Sequence, residues 1–196
     1  MCANDAASAY NAQARREGWP SLCDHSLAFC ASDLVDLAAL WQNLGQASRI
    51  PARTQFSPHA LKPHLRNVAI YERVLHESGE RTYRVRLMGS SMTEVLGNLT
   101  GQCLEEGIPP SFLARWYAAL DATLDAQAPL RFLARSDTNH MEFLVAEYFS
   151  APMRGPDGSV SMVLGSAQYD GARPWPIVES EARGMLFGRL AVGQRG

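Results

Sequence analysis

Residues 83–106 read YRVRLMGSSMTEVLGNLTGQCLEE, and this stretch decides the predicted fold. In YRVRL, aromatic and aliphatic residues alternate with two arginines, which predicts a strand with one buried face. After Gly89 the period changes, because Met92, Val95 and Leu96 share one face of a short helix. Two more glycines follow in GNLTG and predict turns. The stretch therefore predicts a strand that runs into a small helix and two turns, which together make one wall of a pocket.

The composition is that of a globular protein. The chain has 196 residues, of which 46% are hydrophobic and 19% charged, and this suits one domain with a core. The formal net charge is −2 and no block of Lys and Arg occurs, so no nucleic-acid partner is expected. No run approaches the roughly 20 apolar residues of a membrane-spanning helix, and the N-terminus lacks the pattern of a secretory signal. We therefore expect a cytoplasmic protein with no membrane partner.

The ends of the chain differ in pattern from its middle. Residues 1–31 show little periodicity and predict a poorly ordered N-terminal extension. A domain is predicted over residues 32–170, led by a helix at 33–45, and residues 171–196 form a C-terminal tail. One face of the leading helix is apolar and must pack on the domain or on a second copy of the chain. We expect a homodimer, with candidate interface residues Leu34, Leu37, Ala38 and Trp41.

The remaining patterns predict five strands and one long helix. The helix, residues 111–127, carries an apolar stripe that suits packing across a sheet. The strands are predicted at 67–75, 81–88, 130–135, 141–151 and 160–169. Their order predicts an α+β fold, with a five-stranded antiparallel sheet, helices on one face and an N-terminal helix.

This order of elements and several strings of residues resemble a PAS domain, of the divergent bacterial family found mainly in alphaproteobacteria. The strings are Leu40-Trp41, IPAR at 50–53, FSP at 56–58, YRVRLMG at 83–89, LG at 96–97, LTG at 99–101, EY at 147–148 and APM at 151–153. The resemblance covers roughly residues 33–170. It implies a ligand-sensing or protein-docking module, often dimeric, whose pocket lies between the sheet and the helices over it.

The resemblance implies no fixed cofactor, and the cofactor is unknown. Flavin-binding relatives carry a cysteine three residues after the glycine of a Gly-x-Asn-Cys-Arg string, whereas Cys103 follows Gly101 by two and lacks the Asn and Arg. Haem-binding relatives use a histidine on or near the long helix, and residues 110–127 contain none. Flavin–cysteine photochemistry and haem are therefore not expected, and Cys103 is interpreted as a packing residue.

The PAS-like arrangement also selects candidate pocket residues. They are Val85, Ser91, Trp116, Tyr117, Leu120, Phe143, Val145, Tyr148, Met162, Leu164 and Ser166. They combine apolar walls with a few polar groups, as ligand pockets do. On the strand at 81–88, Arg84 and Arg86 share a face and can either grip an anion or form an ion-paired outer surface, and we favour the second.

Catalysis and metal binding find little support in the sequence. No Gly-x-Ser-x-Gly elbow, phosphate-binding glycine loop or His-Glu-x-x-His helix occurs. Pro63 separates His59 from His64 and breaks the helix on which they could share a face. We therefore expect neither an enzyme nor a metal site.

The expected function is that of a PAS-like sensory or regulatory domain. It binds a small molecule or a partner protein and signals by contact with an unidentified signalling protein. The alternative is a constitutive protein-interaction adaptor whose PAS core is filled and holds no ligand. The interior discriminates between the two, because sensing needs a cavity with convergent polar groups.

Overall fold

The computed structural model of the chain describes residues 1–46, 49–135, 144–172 and 174–193. It describes the side chains of all these residues except 170–172 and 185–193. The helices are α1 Ala3–Glu17, α2 Ser32–Gly45, α3 Pro58–Leu61, α4 Ser90–Leu96, α5 Leu104–Gly107, α6 Pro110–Ala126 and α7 Trp175–Gly193. The strands are β1 Ser21–Asp24, β2 Val68–Leu75, β3 Arg81–Met88, β4 Leu130–Arg135, β5 Leu144–Arg154 and β6 Val160–Ala172. None of the helices in this described part is both long and apolar enough to cross a membrane.

The described strands form one antiparallel sheet in the order β1-β4-β5-β6-β2-β3. The predicted α+β class is confirmed, and the strand count of five is wrong by one. The sixth strand is β1, whose four buried residues pair with β4 from Ser21 opposite Ala134 to Asp24 opposite Arg131. A four-residue strand is too short to show an alternating pattern, and the sequence analysis missed it for that reason.

Residues 1–31 contain more regular structure than their pattern predicts. Helix α1 buries a face of small side chains with one aromatic ring, namely Ala6, Ala7, Tyr10 and Ala14. Alanine is a strong helix former but contributes little hydropathy, so an alanine face gives a weak periodic signal. The side-chain amide of Asn11 then joins α1 to β1, because it donates to the Cys23 carbonyl at 2.8 Å and accepts from the Cys23 N–H at 2.7 Å.

Helices cover both faces of the sheet, which corrects the expectation of helices on one face. On β5, Phe149, Ala151 and Met153 belong to the cluster that packs against α2. The alternate residue Ser150 faces α6, where its hydroxyl lies 2.8 Å from that of Thr123. Helices α4 and α5 pack on the same face of the sheet as α6, and α1 packs beside α6 near β1 and β4.

The apolar face of α2 is used within the chain. Leu34, Leu37, Ala38 and Trp41 are between 0% and 7% exposed and lie in the core between α2 and the sheet. The indole N–H of Trp41 donates to the Pro152 carbonyl at 2.8 Å. The assignment of these four residues to a dimer interface is therefore wrong, since they pack on the sheet of their own chain. A homodimer stays a prediction without an assigned surface.

The stretch that decides the fold forms the predicted strand, helix and turns. Strand β3 ends where Gly89 passes the backbone of the α3–β2 connection, and a Cβ there would lie 2.2 Å from the Leu65 carbonyl oxygen. Only glycine permits this approach. After α4 the chain returns to the edge of β3, where the Val85 N–H donates to Gln102 at 2.9 Å and the Val85 carbonyl accepts from Gly101 at 2.8 Å. These bonds cover part of an otherwise open sheet edge.

Candidate functional site

A cavity of about 90 Å³ lies between α6 and the sheet. Its floor includes Ser150 and Gly165, which stand opposite each other on β5 and β6. The roof comes from the α6 residues Arg115, Trp116, Ala119 and Leu120. The remaining lining residues are Tyr10, Ser21, Tyr71, Met92, Leu96, Phe132, Ala134, Tyr148, Phe149 and Ser166. Six of the sixteen lining residues are aromatic. Phe149 belongs to the core on the α2 face, and the other five offer flat apolar surfaces with a few polar groups among them.

Gly165 sets the depth of the floor. A Cβ at this position would lie 3.1 Å from Cε2 of Tyr71. The glycine therefore lets the Tyr71 ring lie close above the β6 backbone. That ring in turn meets Trp116 of α6 edge to face, with centroids 6.0 Å apart and planes at 67°. The pair defines one wall of the cavity by a favourable aromatic contact.

Three hydroxyls of the cavity lining, those of Tyr10, Ser21 and Ser150, have protein partners. The Tyr10 hydroxyl lies 2.7 Å from the Ser21 hydroxyl, in the contact between α1 and β1. The Ser150 hydroxyl lies 2.8 Å from that of Thr123, which itself donates to the Ala119 carbonyl at 2.9 Å. These bonds fix the walls of the cavity and use part of the hydrogen-bonding capacity of each hydroxyl.

The Tyr71 hydroxyl differs from these groups. Tyr71 is 3% exposed, and no described residue makes a hydrogen bond to its hydroxyl. Among the described residues, every fully buried side-chain oxygen has a hydrogen-bond partner. Because the Tyr71 hydroxyl has none, it must border open space. That space is the cavity, which Tyr71 lines. Burial raises the pKa of Tyr71 above its usual range, and the nearby Tyr148 hydroxyl raises it by a smaller amount. The cavity therefore contains a neutral phenol O–H that is available to a ligand.

Arg115 lines the cavity from α6. It also lines an adjacent surface cleft formed by Trp19, Phe112 and Arg135 together with neighbouring residues. Its guanidinium carbon lies 5.7 Å from the centre of the Phe112 ring, which belongs to the cleft. Arg115 is also engaged in further interactions of its own. Arg115 is the one charged residue among the cavity-lining residues that the structure describes, and the cavity and the cleft share it.

Four of the candidate pocket residues lie at the cavity: Trp116, Leu120, Tyr148 and Ser166. Val85 and Tyr117 lie in the adjoining core, where the Tyr83 and Tyr117 rings meet at 5.2 Å and the Tyr117 hydroxyl donates to Glu105. Ser91 is half-buried in α4 and Val145 is buried in β5, and neither lines the cavity. Phe143 lies outside the described residues. Ligand binding by any of these residues stays a prediction.

Met162 and Leu164 lie on the opposite face of the sheet from the cavity. Both belong to the core against α2, whereas Val163 and Ala167 belong to the core against α6. The assignment of Met162 and Leu164 to the pocket is therefore wrong. Alternation correctly predicts that they share a face, but apolar residues occupy both faces of β6, so polarity does not tell which face meets α6.

The N-terminal residues contribute to the site, although their sequence pattern did not predict it. Tyr10 and Ser21 line the cavity from α1 and β1, and the Tyr10 ring packs edge to face on Phe132 of β4 at 5.0 Å. The available signal was an aromatic residue in register with Ala6, Ala7 and Ala14 on a helical face.

Cys103 and the arginine pair lie away from the cavity. Cys103 is half-buried beside β3, with its sulfur 3.9 Å from the Thr82 hydroxyl, and it precedes α5. Arg86 pairs across the hairpin with Glu72 at 2.8 Å, which supports the ion-paired outer surface. Among the residues that the structure describes, no three His, Cys, Asp or Glu side chains come together as a metal site would require.

Comparison with protein families matches residues 31–168 to the PAS domain family. The chain belongs to this family. The match includes α2 through most of β6 and leaves α1 and β1 outside it. PAS domains generally serve sensing and regulation rather than catalysis, and the alphaproteobacterial subfamily stays a prediction.

Two solved structures show weak likeness to this PAS domain. One is an RNA-binding light-oxygen-voltage receptor, with a TM-score of 0.38 and 13% sequence identity. The aligned part covers 77% of this chain and 42% of the receptor chain. The other is a sensory box histidine kinase/response regulator from Burkholderia thailandensis E264, with a TM-score of 0.35 and 13% identity over 70% of this chain and 99% of that one. No curated protein matches the sequence.

Proposed function

We propose that this PAS domain is a sensor whose cavity between α6 and the sheet binds a small molecule, and that it passes on its occupancy by protein contact. The Tyr71 hydroxyl carries this proposal. It opens into an apolar, partly aromatic cavity and makes no hydrogen bond to any described residue, so its O–H remains available inside the cavity. A ligand atom in the cavity supplies a hydrogen-bond partner for this O–H and gains the surrounding apolar contact.

The walls of the cavity suggest how occupancy changes the surface. Tyr10 and Ser21 join α1 and β1 to the cavity, and both lie outside the residues that match the PAS family. A ligand that contacts them favours one docking position of α1 and β1 over another, to the extent that it binds the two states differently. Helix α2 packs on the other face of the sheet. We therefore assign the output to α1 and β1 rather than to the leading helix.

The decisive experiment is native mass spectrometry of the chain purified from its own host, followed by denaturation. We expect a mass increment on the folded protein and release of one small molecule per bound chain when it unfolds. The cavity is small enough that the adaptor hypothesis is the natural competitor. A folded protein with no increment, combined with stable capture of a partner protein, would establish the adaptor instead.

A further inference from the structure

We propose that the ligand is an uncharged molecule with a single aromatic ring and one polar group, and that this polar group hydrogen-bonds to the Tyr71 hydroxyl. The inference rests on the proposed function, because it names the class of molecule that the cavity would sense. Three properties of the cavity lead to it: its size, its aromatic walls and the absence of acidic residues from its described lining.

Size limits the ligand to about one ring. The cavity measures about 90 Å³, well below the roughly 300–1,000 Å³ of pockets for drug-sized molecules. It is of the same order as an engineered apolar cavity of about 150 Å³ that binds benzene. Arg115 lines both the cavity and the adjacent cleft.

The walls favour an aromatic ligand over an aliphatic one of equal size. Tyr71 and Trp116 already meet edge to face at 6.0 Å, and Phe132 and Tyr148 also line the cavity. A ring placed among them finds both ring edges and ring faces, which are the contacts that aromatic pairs prefer. Ala119 and Gly165 are small and leave space between these rings.

The interior selects against charge. Acidic residues are absent from the described lining, and Arg115 lies over Phe112 in the cleft and has other interactions. Burial raises the pKa values of the Tyr10 and Tyr71 hydroxyls, so both remain neutral at physiological pH. A cationic ligand would lose its hydration here without gaining an opposite charge. An anionic ligand would meet only Arg115, whose charge also acts on the Tyr10 hydroxyl and which already has other interactions. A neutral aromatic ring loses much less hydration free energy on entering the cavity.

The polar group follows from the Tyr71 hydroxyl, for which Tyr169 provides a matched comparison. Like Tyr71, Tyr169 has a pKa raised by burial and no hydrogen bond from its hydroxyl to a described residue. Tyr169 does not line the cavity. Removing either hydroxyl therefore makes the same chemical change, and only the change at Tyr71 alters the cavity.

The test measures the binding of phenol, toluene and benzoate by isothermal titration calorimetry to the full chain and its Tyr71→Phe and Tyr169→Phe variants. We expect phenol to bind most tightly. Tyr71→Phe should weaken phenol by about fivefold to tenfold, the worth of one hydrogen bond, and leave toluene within about twofold, because toluene cannot make that bond. Tyr169→Phe should leave both dissociation constants unchanged.

Three results would overturn the inference. Tighter binding of benzoate than of phenol would show that the site prefers an anion. If Tyr71→Phe changed the dissociation constants of phenol and toluene equally, the Tyr71 hydroxyl would not form the proposed hydrogen bond to the ligand. If none of the probes binds although the chain from its own host releases a molecule, the proposed function stands and the ligand class is wrong. If no molecule is released either, both proposals fail.

Discussion

Asp24 and Arg131 form a buried ion pair, with Oδ2 and Nη1 3.2 Å apart, that joins strand β1 to its neighbour β4. The same guanidinium donates from Nε to Glu147 of β5 at 2.5 Å. The Glu147 carboxylate also accepts the backbone N–H groups of Cys30 and Ala31 at 3.0 Å. All three charged side chains are at most 8% exposed. One cluster thus connects the N-terminal strand, the sheet and the start of α2.

Removing the cation of this cluster should destabilise the whole chain. Arg131→Met leaves the Asp24 and Glu147 carboxylates buried without an opposite charge, which typically costs about 3–5 kcal/mol. The free energy of urea unfolding measures the effect. Arg86→Met is the control, because the Arg86–Glu72 pair is 47% and 20% exposed and should contribute less than about 1 kcal/mol. Equal losses from the two variants would contradict a structural role for the cluster.

Trp41 should behave as a core residue. Its indole is buried between α2 and the sheet and donates to the Pro152 carbonyl at 2.8 Å. Trp41→Ala creates a cavity and leaves that carbonyl without its partner, so we expect a loss of about 3–5 kcal/mol in unfolding free energy. Val35→Ala on the exposed face of the same helix should stay within about 0.5 kcal/mol. If Trp41→Ala changes only the oligomeric state, the residue belongs to an interface after all.

The elements of the PAS domain could be predicted because their patterns are local. The leading helix expected at 33–45 is Ser32–Gly45, and the long helix expected at 111–127 is Pro110–Ala126. In both, apolar residues recur with the helical period, and prolines or glycines stand at the ends. The position of each element therefore follows from its own residues.

The packing partners could not be predicted, because they depend on residues far apart in the chain. The apolar face of α2 predicts burial, but Leu34 and Trp41 do not reveal whether they meet the sheet or another chain. Tyr10 reaches the cavity only because β1 pairs with β4. Such a pairing of four residues leaves no periodic signal in the sequence.

Stability should fall in alkaline solution. Burial raises the pKa values of Tyr71 and Tyr83, and the Tyr83 hydroxyl also donates to Asp121. In the unfolded chain a tyrosine titrates near pH 10. Stabilisation by the neutral forms is therefore complete below about pH 10, and it is lost as the pH rises above 10, by about 1.4 kcal/mol per pH unit for each such tyrosine.

Urea unfolding at a series of values from about pH 8 to about pH 11 measures this loss. Tyr71→Phe has no proton to lose at this site, so its stability should fall less steeply than that of the parent chain. Tyr83→Phe should also reduce the slope, but at neutral pH it additionally removes the hydrogen bond to Asp121. A stability that is constant across this range, or equal slopes for all three proteins, would contradict the assignment.

Gly165 should control binding in the cavity with little effect on folding. In Gly165→Ala the new methyl group lies 3.1 Å from the Tyr71 ring, so the ring must move by a few tenths of an ångström into the space that it lines. Alanine suits a strand interior better than glycine by roughly 0.5–1 kcal/mol, which offsets the crowding, and we expect a net change within about 1 kcal/mol. The dissociation constant for phenol should rise at least about fivefold, a loss of about 1 kcal/mol. The matched control is Gly184→Ala in α7, where the added Cβ meets nothing within 4 Å; it should leave phenol binding unchanged. If both variants bind phenol equally well, the ligand does not lie between β6 and α6.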